Sequence, residues 1–141
     1  MSEIIKLRVK ALLKMKNYRA KQKALAKLSK IPEDGYWCWL VQEDYEYLSE
    51  SWKLSLGYED DELENHPTTW MGLIDKKELQ KALANVDKHF QTRGQHPYHQ
   101  VVNYTCKDGS IKTYICNGEV TEWGEDDRPL VMIGTHEEVA Q

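Results

Sequence analysis

The feature that most constrains this chain is its last third. There Tyr98 to Cys106, Lys107-Asp108-Gly109-Ser110, Ile111 to Trp123 and Pro129 to Val139 read as three consecutive strands joined by turns. Asp-Gly between two β-rich runs is a strong hairpin signal, because a two-residue type I′ turn needs positive φ at both central residues and glycine adopts it without strain. With Asp108 and Gly109 at the turn centre, Lys107 is predicted to face Ser110, and counting outward pairs Cys106 with Ile111. One face of the hairpin then carries Val101 with Cys116, Asn103 with Tyr114 and Thr105 with Lys112. The other carries Val102 with Ile115 and Tyr104 with Thr113. Both faces are half apolar, so hydrophobicity alone does not choose the inner one.

The segments before this meander set the fold class. Residues 3 to about 29 contain no Gly or Pro and are rich in Lys, Leu and Ala, which predicts one long helix stopped by Pro32. Its apolar stripe is interrupted by Lys14 and Lys21, a mediocre coiled-coil seam that still suits packing on a sheet or on a second copy. Tyr36 to Val41 and Tyr45 to Leu48 read as strands around a Gln42-Glu43-Asp44 turn. Ser49 is a plausible N-cap for a short helix ended by Gly57. Glu59 to Glu64 is a second short helix or turn. Asp75 to about Arg93 is a longer helix, capped by Asp75 and ended by Gly94, with Leu79, Leu83, Val86 and Phe90 along one side. The result is an α+β chain with an antiparallel sheet covered on one face, divided into a basic N-terminal helix, 1–31, and a domain, 32–141.

Charge sharpens that division. Residues 1–30 hold ten Lys/Arg against one acid, whereas the remainder holds nine against 22, so a net charge of -4 conceals a strong asymmetry. The basic run reads as a solvated helix face that can also dimerise. Binding to nucleic acid through phosphates is the weaker alternative, since no recognition motif accompanies the charge. The sequence has no apolar run of about 18 residues and no secretory signal, so a soluble cytoplasmic protein is expected. Cys38, Cys106 and Cys116 lack C-x-x-C spacing. In the predicted register Cys106 and Cys116 lie five residues apart along the sheet, about 16 Å at ~3.3 Å per residue, and free buried thiols follow. Catalysis is not expected: G-x-S-x-G, a Gly-rich phosphate loop and H-E-x-x-H are all missing.

Four segments in this order resemble a PAS domain with its C-terminal PAC motif, over roughly residues 33–139. They are Gly35-Tyr36-Trp37-Cys38-Trp39, Ser51 to Tyr58 with Glu62-Leu63, Lys107-Asp108-Gly109-Ser110, and Arg128 to Thr135. The resemblance implies a five-stranded antiparallel sheet in order 2-1-5-4-3 with short helices on one face around a pocket. It also implies a sensory and dimerising module of a histidine kinase, diguanylate cyclase or transcription regulator, with its effector domain or a partner protein elsewhere. Two departures are visible. Asp75-Lys76-Lys77-Glu78 stands where many relatives have His-Pro-Asp-Asp, and Cys38 and Leu40 stand where aspartates are common.

The resemblance to the flavin-binding light-oxygen-voltage branch places Asn103 at a ligand-contacting position, with Tyr114 at the second amide position and His136 at the glutamine of the last strand. Trp37 and Trp39 share a face by period-two alternation and, with Trp70, complete an expected ligand-binding set of Trp37, Trp39, Trp70, Asn103, Tyr114 and His136. The competing reading is that these side chains fill the core and bond to one another. No cofactor is identified. The segment from Asn65 to Trp70 contains Thr68 and Thr69 and no cysteine, which excludes a flavin-thiol adduct. His89 is a thinly supported haem ligand, since a single histidine beside Phe90 is more often a satisfied helical residue. His96 and His99 fall on opposite faces of an extended stretch, which weakens a metal reading.

Overall fold

The computed structural model describes residues 35–140. The expected helix over 3–29 and the boundary at residue 31 lie outside the described residues. Aromatic and β-branched runs form five strands: β1 (Tyr36–Leu40), β2 (Tyr45–Leu48), β3 (Tyr98–Thr105), β4 (Ile111–Trp123) and β5 (Pro129–Glu138). They make one antiparallel sheet in the order β2-β1-β5-β4-β3, as the PAS resemblance implies.

Three helices lie between β2 and β3. The first, α1 (Glu50–Ser55), starts at Ser49, whose hydroxyl accepts the Trp52 N–H at 3.3 Å, and the chain leaves it through Gly57 at φ +90°. A 3-10 turn follows at Asp60–Glu62. The second helix, α2 (Pro67–Met71), is not anticipated by periodicity because five residues are too few to show a period. Its signal is local: His66 Nδ1 accepts the Thr68 N–H at 3.2 Å, and Pro67 occupies the first helical position. The third, α3 (Lys76–Gln91), begins at Asp75, which accepts the Glu78 N–H at 3.0 Å.

The buried side of α3 differs from the expected Leu79-Leu83-Val86-Phe90 stripe. Ala82, Val86 and His89 are buried, Leu79 and Phe90 are partly buried against the core, and Leu83 is exposed. The physical reason is His89. Its Nδ1 meets the His96 carbonyl at 2.6 Å and its Nε2 accepts the Val120 N–H at 3.1 Å, and these two bonds fix the roll of the helix over β4.

The β3–β4 hairpin corrects the predicted register by one residue. Thr105 pairs with Ile111, Asn103 with Thr113, Val102 with Tyr114 and Gln100 with Cys116. Only Gly109 takes positive φ, at +88°. Asp108 stays in the ordinary region, where its carboxylate accepts the Ser110 N–H at 2.9 Å and the Ser110 hydroxyl at 2.6 Å. The Gly109 N–H reaches the Cys106 carbonyl at 3.0 Å, and the Cys106 N–H reaches the Ser110 carbonyl at 2.7 Å. The loop is therefore three residues long, a turn followed by a left-handed glycine, rather than a two-residue type I′ turn. Because side chains alternate with period two, the slip sets the two members of every pair assigned from the turn on opposite faces, so that β3 is turned over relative to β4.

With that register, one row runs across all five strands: Leu48, Trp37, Gly134, Gly118 and Tyr98. The two glycines leave a trough in the helix-facing side of the sheet, and the Trp37 indole lies across it. A parallel row holds Glu46, Trp39, Met132 and Val120. These two rows form the floor under α2 and α3.

Candidate functional site

Between that floor and the helices is a cavity of about 20 Å³. Trp37 and Trp39 of β1, Glu46 of β2, Met132 and His136 of β5 line it from the sheet. Tyr98 and Tyr104 of β3 and Cys116 of β4 continue the lining, and Trp70 of α2 and Val86 of α3 close it from above. The space suffices for a single water, which needs ~10–15 Å³, and is far below the ~300–1,000 Å³ of pockets that enclose drug-sized ligands. An isoalloxazine or a porphyrin is larger than this space.

Of the six side chains expected at a ligand site, Trp37, Trp39, Trp70 and His136 line the cavity. Tyr114 is buried next to it. Its ring meets His136 edge-on at 6.1 Å between centroids, and its hydroxyl bonds to the Ser55 hydroxyl. Asn103 is placed differently: it is exposed on the opposite face of the sheet, where its Oδ1 accepts the Thr113 hydroxyl at 2.6 Å. The register slip accounts for this, since moving the pairing by one residue turns Asn103 outward and brings Val102 and Tyr104 inward.

Glu46, Val86, Tyr98, Tyr104, Cys116 and Met132 are the lining residues not foreseen as site residues from the sequence. A usable signal existed for Glu46. The short turn between β1 and β2 pairs Leu40 with Tyr45 and therefore Trp39 with Glu46, placing an acid opposite an inward tryptophan.

The electrostatics of the cavity are unusual for so apolar a place. Glu46 is 3% exposed, and its carboxylate oxygen accepts the Trp70 indole N–H at 3.1 Å. Burial pushes its pKa up to about 8, against the smaller lowering effect of that bond. His136 stacks on Trp52 at 4.7 Å between centroids and 12° between planes. Its Nδ1 is sealed from solvent and has no hydrogen-bond partner, and burial drives the ring down to about 3, so it is neutral. Burial also raises the Tyr98 and Tyr104 phenols and lifts the Cys116 thiol to about 12; the Tyr104 hydroxyl lies 3.5 Å from Cys116 Sγ. Every ionisable group around the cavity is thus held in its neutral form near pH 7.

His89 does not face this cavity. Both of its ring nitrogens are engaged by backbone groups, so metal ligation there would require breaking two buried hydrogen bonds. No group of three or more metal-ligating side chains occurs among the described residues. No described helix is long and apolar enough to cross a membrane. Cys38, Cys106 and Cys116 are free and buried.

A five-stranded antiparallel sheet in this order, with short helices over one face and a cavity between them, defines a class of fold. The family described as PAS fold matches residues 45–136, and the chain belongs to it. Among solved structures, a sensory box histidine kinase/response regulator from Burkholderia thailandensis E264 is similar at 26% identity, with a TM-score of 0.62, over 74% of this chain and 76% of that one. A light-oxygen-voltage domain studied with a flavin analogue shares the fold at 15% identity and a TM-score of 0.59, covering 84% and 85% of the two chains. The light-oxygen-voltage domain of a blue-light activated histidine kinase from Erythrobacter litoralis EL346 does so at 14% identity and 0.56, covering 76% and 96%. No curated protein sequence matches the chain.

Proposed function

We propose that this chain is the sensory module of a signal-transduction protein of the histidine kinase or diguanylate cyclase type. It acts without catalysis of its own by letting a small molecule occupy the cavity over the sheet. The observation that carries this reading is the set of polar groups, the Glu46 carboxyl and the unpartnered Nδ1 of His136, enclosed with a cavity by aromatic side chains. Apolar walls with a few placed polar groups are what a small-molecule site requires. The similarity to a sensory box histidine kinase supports the output class.

β5 is the natural transmission element. It contributes Met132 and His136 to the cavity and runs on from there to Glu138. A ligand shifts such a module only through different affinities for two arrangements of the sheet. The basic segment 1–31 then serves in dimerisation or in carrying the signal, and the effector is a separate domain or protein.

Native mass spectrometry and an absorbance spectrum of the freshly purified chain test the reading together. A retained small molecule, or a metabolite that changes hydrogen exchange across Met132–Glu138, is the expected result. An apo mass combined with unaltered exchange across a broad metabolite panel would overturn it. Light scattering on the full chain tests the dimer, and a monomer at high micromolar concentration removes that part.

A further inference from the structure

Building on the reading of the cavity as a sensing site, we propose that its ligand is a small organic cation. A primary ammonium about the size of methylammonium would be held by Glu46 within a box of tryptophan and tyrosine rings.

The starting point is a carboxyl group with nothing positive to balance it. Glu46 has Trp70 as its side-chain partner, and among the described residues no Lys, Arg or His forms an ion pair with it. The buried Lys53 is committed elsewhere, to the Asp60 carboxylate and carbonyl at 3.1 Å each and to Asn65 Oδ1 at 3.0 Å. The elements packed around the cavity present Trp39 and Trp37 from β1, Trp70 from α2, Val86 from α3, Tyr98 and Tyr104 from β3, Cys116 from β4, and Met132 and His136 from β5. None of these carries a charge near neutral pH. A lone carboxyl in such a place is costly to ionise unless a cation arrives with the ligand.

The remaining walls select the same chemistry. Aromatic faces are negative and attract a cation placed over them, most strongly in a water-poor site. Trp39 pairs directly with Glu46 across β1 and β2, and Trp70 holds one of its oxygens. An anionic ligand would meet both the carboxyl group and the negative ring faces. A primary ammonium has three N–H donors, enough for Glu46 and for the unpartnered His136 Nδ1, whose neutral ring can accept. The size limit is set by the cavity, which holds little more than a water, so a methylammonium-sized head enters with a small displacement of the half-buried Trp39.

The proton balance is explicit. In the empty cavity Glu46 carries a proton at neutral pH; the ammonium displaces that proton to the buffer and leaves a carboxylate–ammonium pair. Binding therefore releases one proton for each cation bound, and affinity rises with pH until Glu46 is ionised in the free protein.

The experiment titrates the full chain with methylammonium chloride, read by tryptophan fluorescence and by calorimetry in two buffers of different protonation heat. Sodium chloride at equal ionic strength, methanol and formate serve as cationic, neutral and anionic controls. Saturable binding of methylammonium alone, release of close to one proton at pH 7, and at least a tenfold loss of affinity in Glu46→Gln are expected. The inference is overturned if methylammonium acts no differently from sodium at about 100 mM, or if binding releases no proton. It is also overturned if a folded Glu46→Gln binds equally well. Proton release is read on the unaltered protein, so it decides the matter even if the variant folds poorly. Saturable binding of methanol or formate without methylammonium refutes the cation and leaves the sensing cavity standing; silence from all probes, together with an unaltered exchange pattern for a metabolite panel, removes both.

Discussion

The Trp37 indole lies against Gly134, its partner in β5, so closely that a Cβ on that glycine would overlap both the ring and the Asn117 carbonyl. The same ring sits 2.5 Å from where a Cβ of Gly118 would be. Gly134 does not need its freedom of φ; it is required because the sheet must pass beneath an indole.

Two substitutions follow from this. Gly134→Ala is expected to destabilise the chain by about 3 kcal/mol, since backbone as well as side chain obstructs the methyl group. Gly118→Ala is expected to cost less, about 1–3 kcal/mol, because Trp37 and the flexible Met132 can both give. Urea denaturation measures both, and equal stability of Gly134→Ala and the parent would refute the packing.

The pH dependence of stability separates Glu46 from His136. Glu46 has its pKa raised on folding from 4.5 to about 8, so the folded state holds a proton that the unfolded state gives up, and stability falls as pH rises through that window. His136 is lowered on folding from 6.5 to about 3, so stability falls as pH drops below 6.5. The two oppose each other between pH 4.5 and 6.5, and Glu46 acts without that opposition above it. Denaturation midpoints are expected to plateau in the overlap and decline above pH 6.5, by up to about 1.4 kcal/mol per unit from Glu46. Glu46→Gln should flatten the alkaline decline, and an unchanged slope in that variant would refute the assignment.

The one-residue register of the β3–β4 hairpin is open to a paired test. Val102 is 1% exposed and Asn103 is exposed. Val102→Ala should therefore cost about 2 kcal/mol, and Asn103→Ala within about 0.5 kcal/mol. The reverse order would restore the register that places Asn103 in the cavity.

His89 gives a fourth expectation. Replacing it by Ala leaves the Val120 N–H and the His96 carbonyl without their partner and empties buried volume, for a loss of about 2–4 kcal/mol. Thermal unfolding checks the cost. Were His89→Ala neutral, the bonds that set the roll of α3 would carry no weight.

How much of this was legible in the residues differs from element to element. The strand limits at Tyr45 to Leu48 and Ile111 to Trp123, the caps at Ser49 and Asp75, and the sheet order implied by the PAS resemblance all appear in the structure. These depend on local pattern and capping chemistry, which short windows of sequence carry. The short helix α2 escaped because five residues show no period, and Leu83 was misplaced because His89 rolls the helix.

The sequence by itself determined the strands, the longer helix after Asp75, the meander and the shared face of Trp37 and Trp39, since propensity and alternation are properties of neighbouring residues. Only the tertiary structure decided which face of β3 looks inward. That choice rested on whether Asp108 would adopt positive φ or keep an ordinary conformation and bond to Ser110, a difference of one residue in a turn. It also decided that Glu46, an ordinary acid in a Tyr-Glu-Tyr-Leu run, would be buried beside Trp70 with no ion-pair partner among the described residues. The β1–β2 turn sets Glu46 opposite Trp39, a local relation, but its burial and its bond to Trp70 are set by what distant segments bring together.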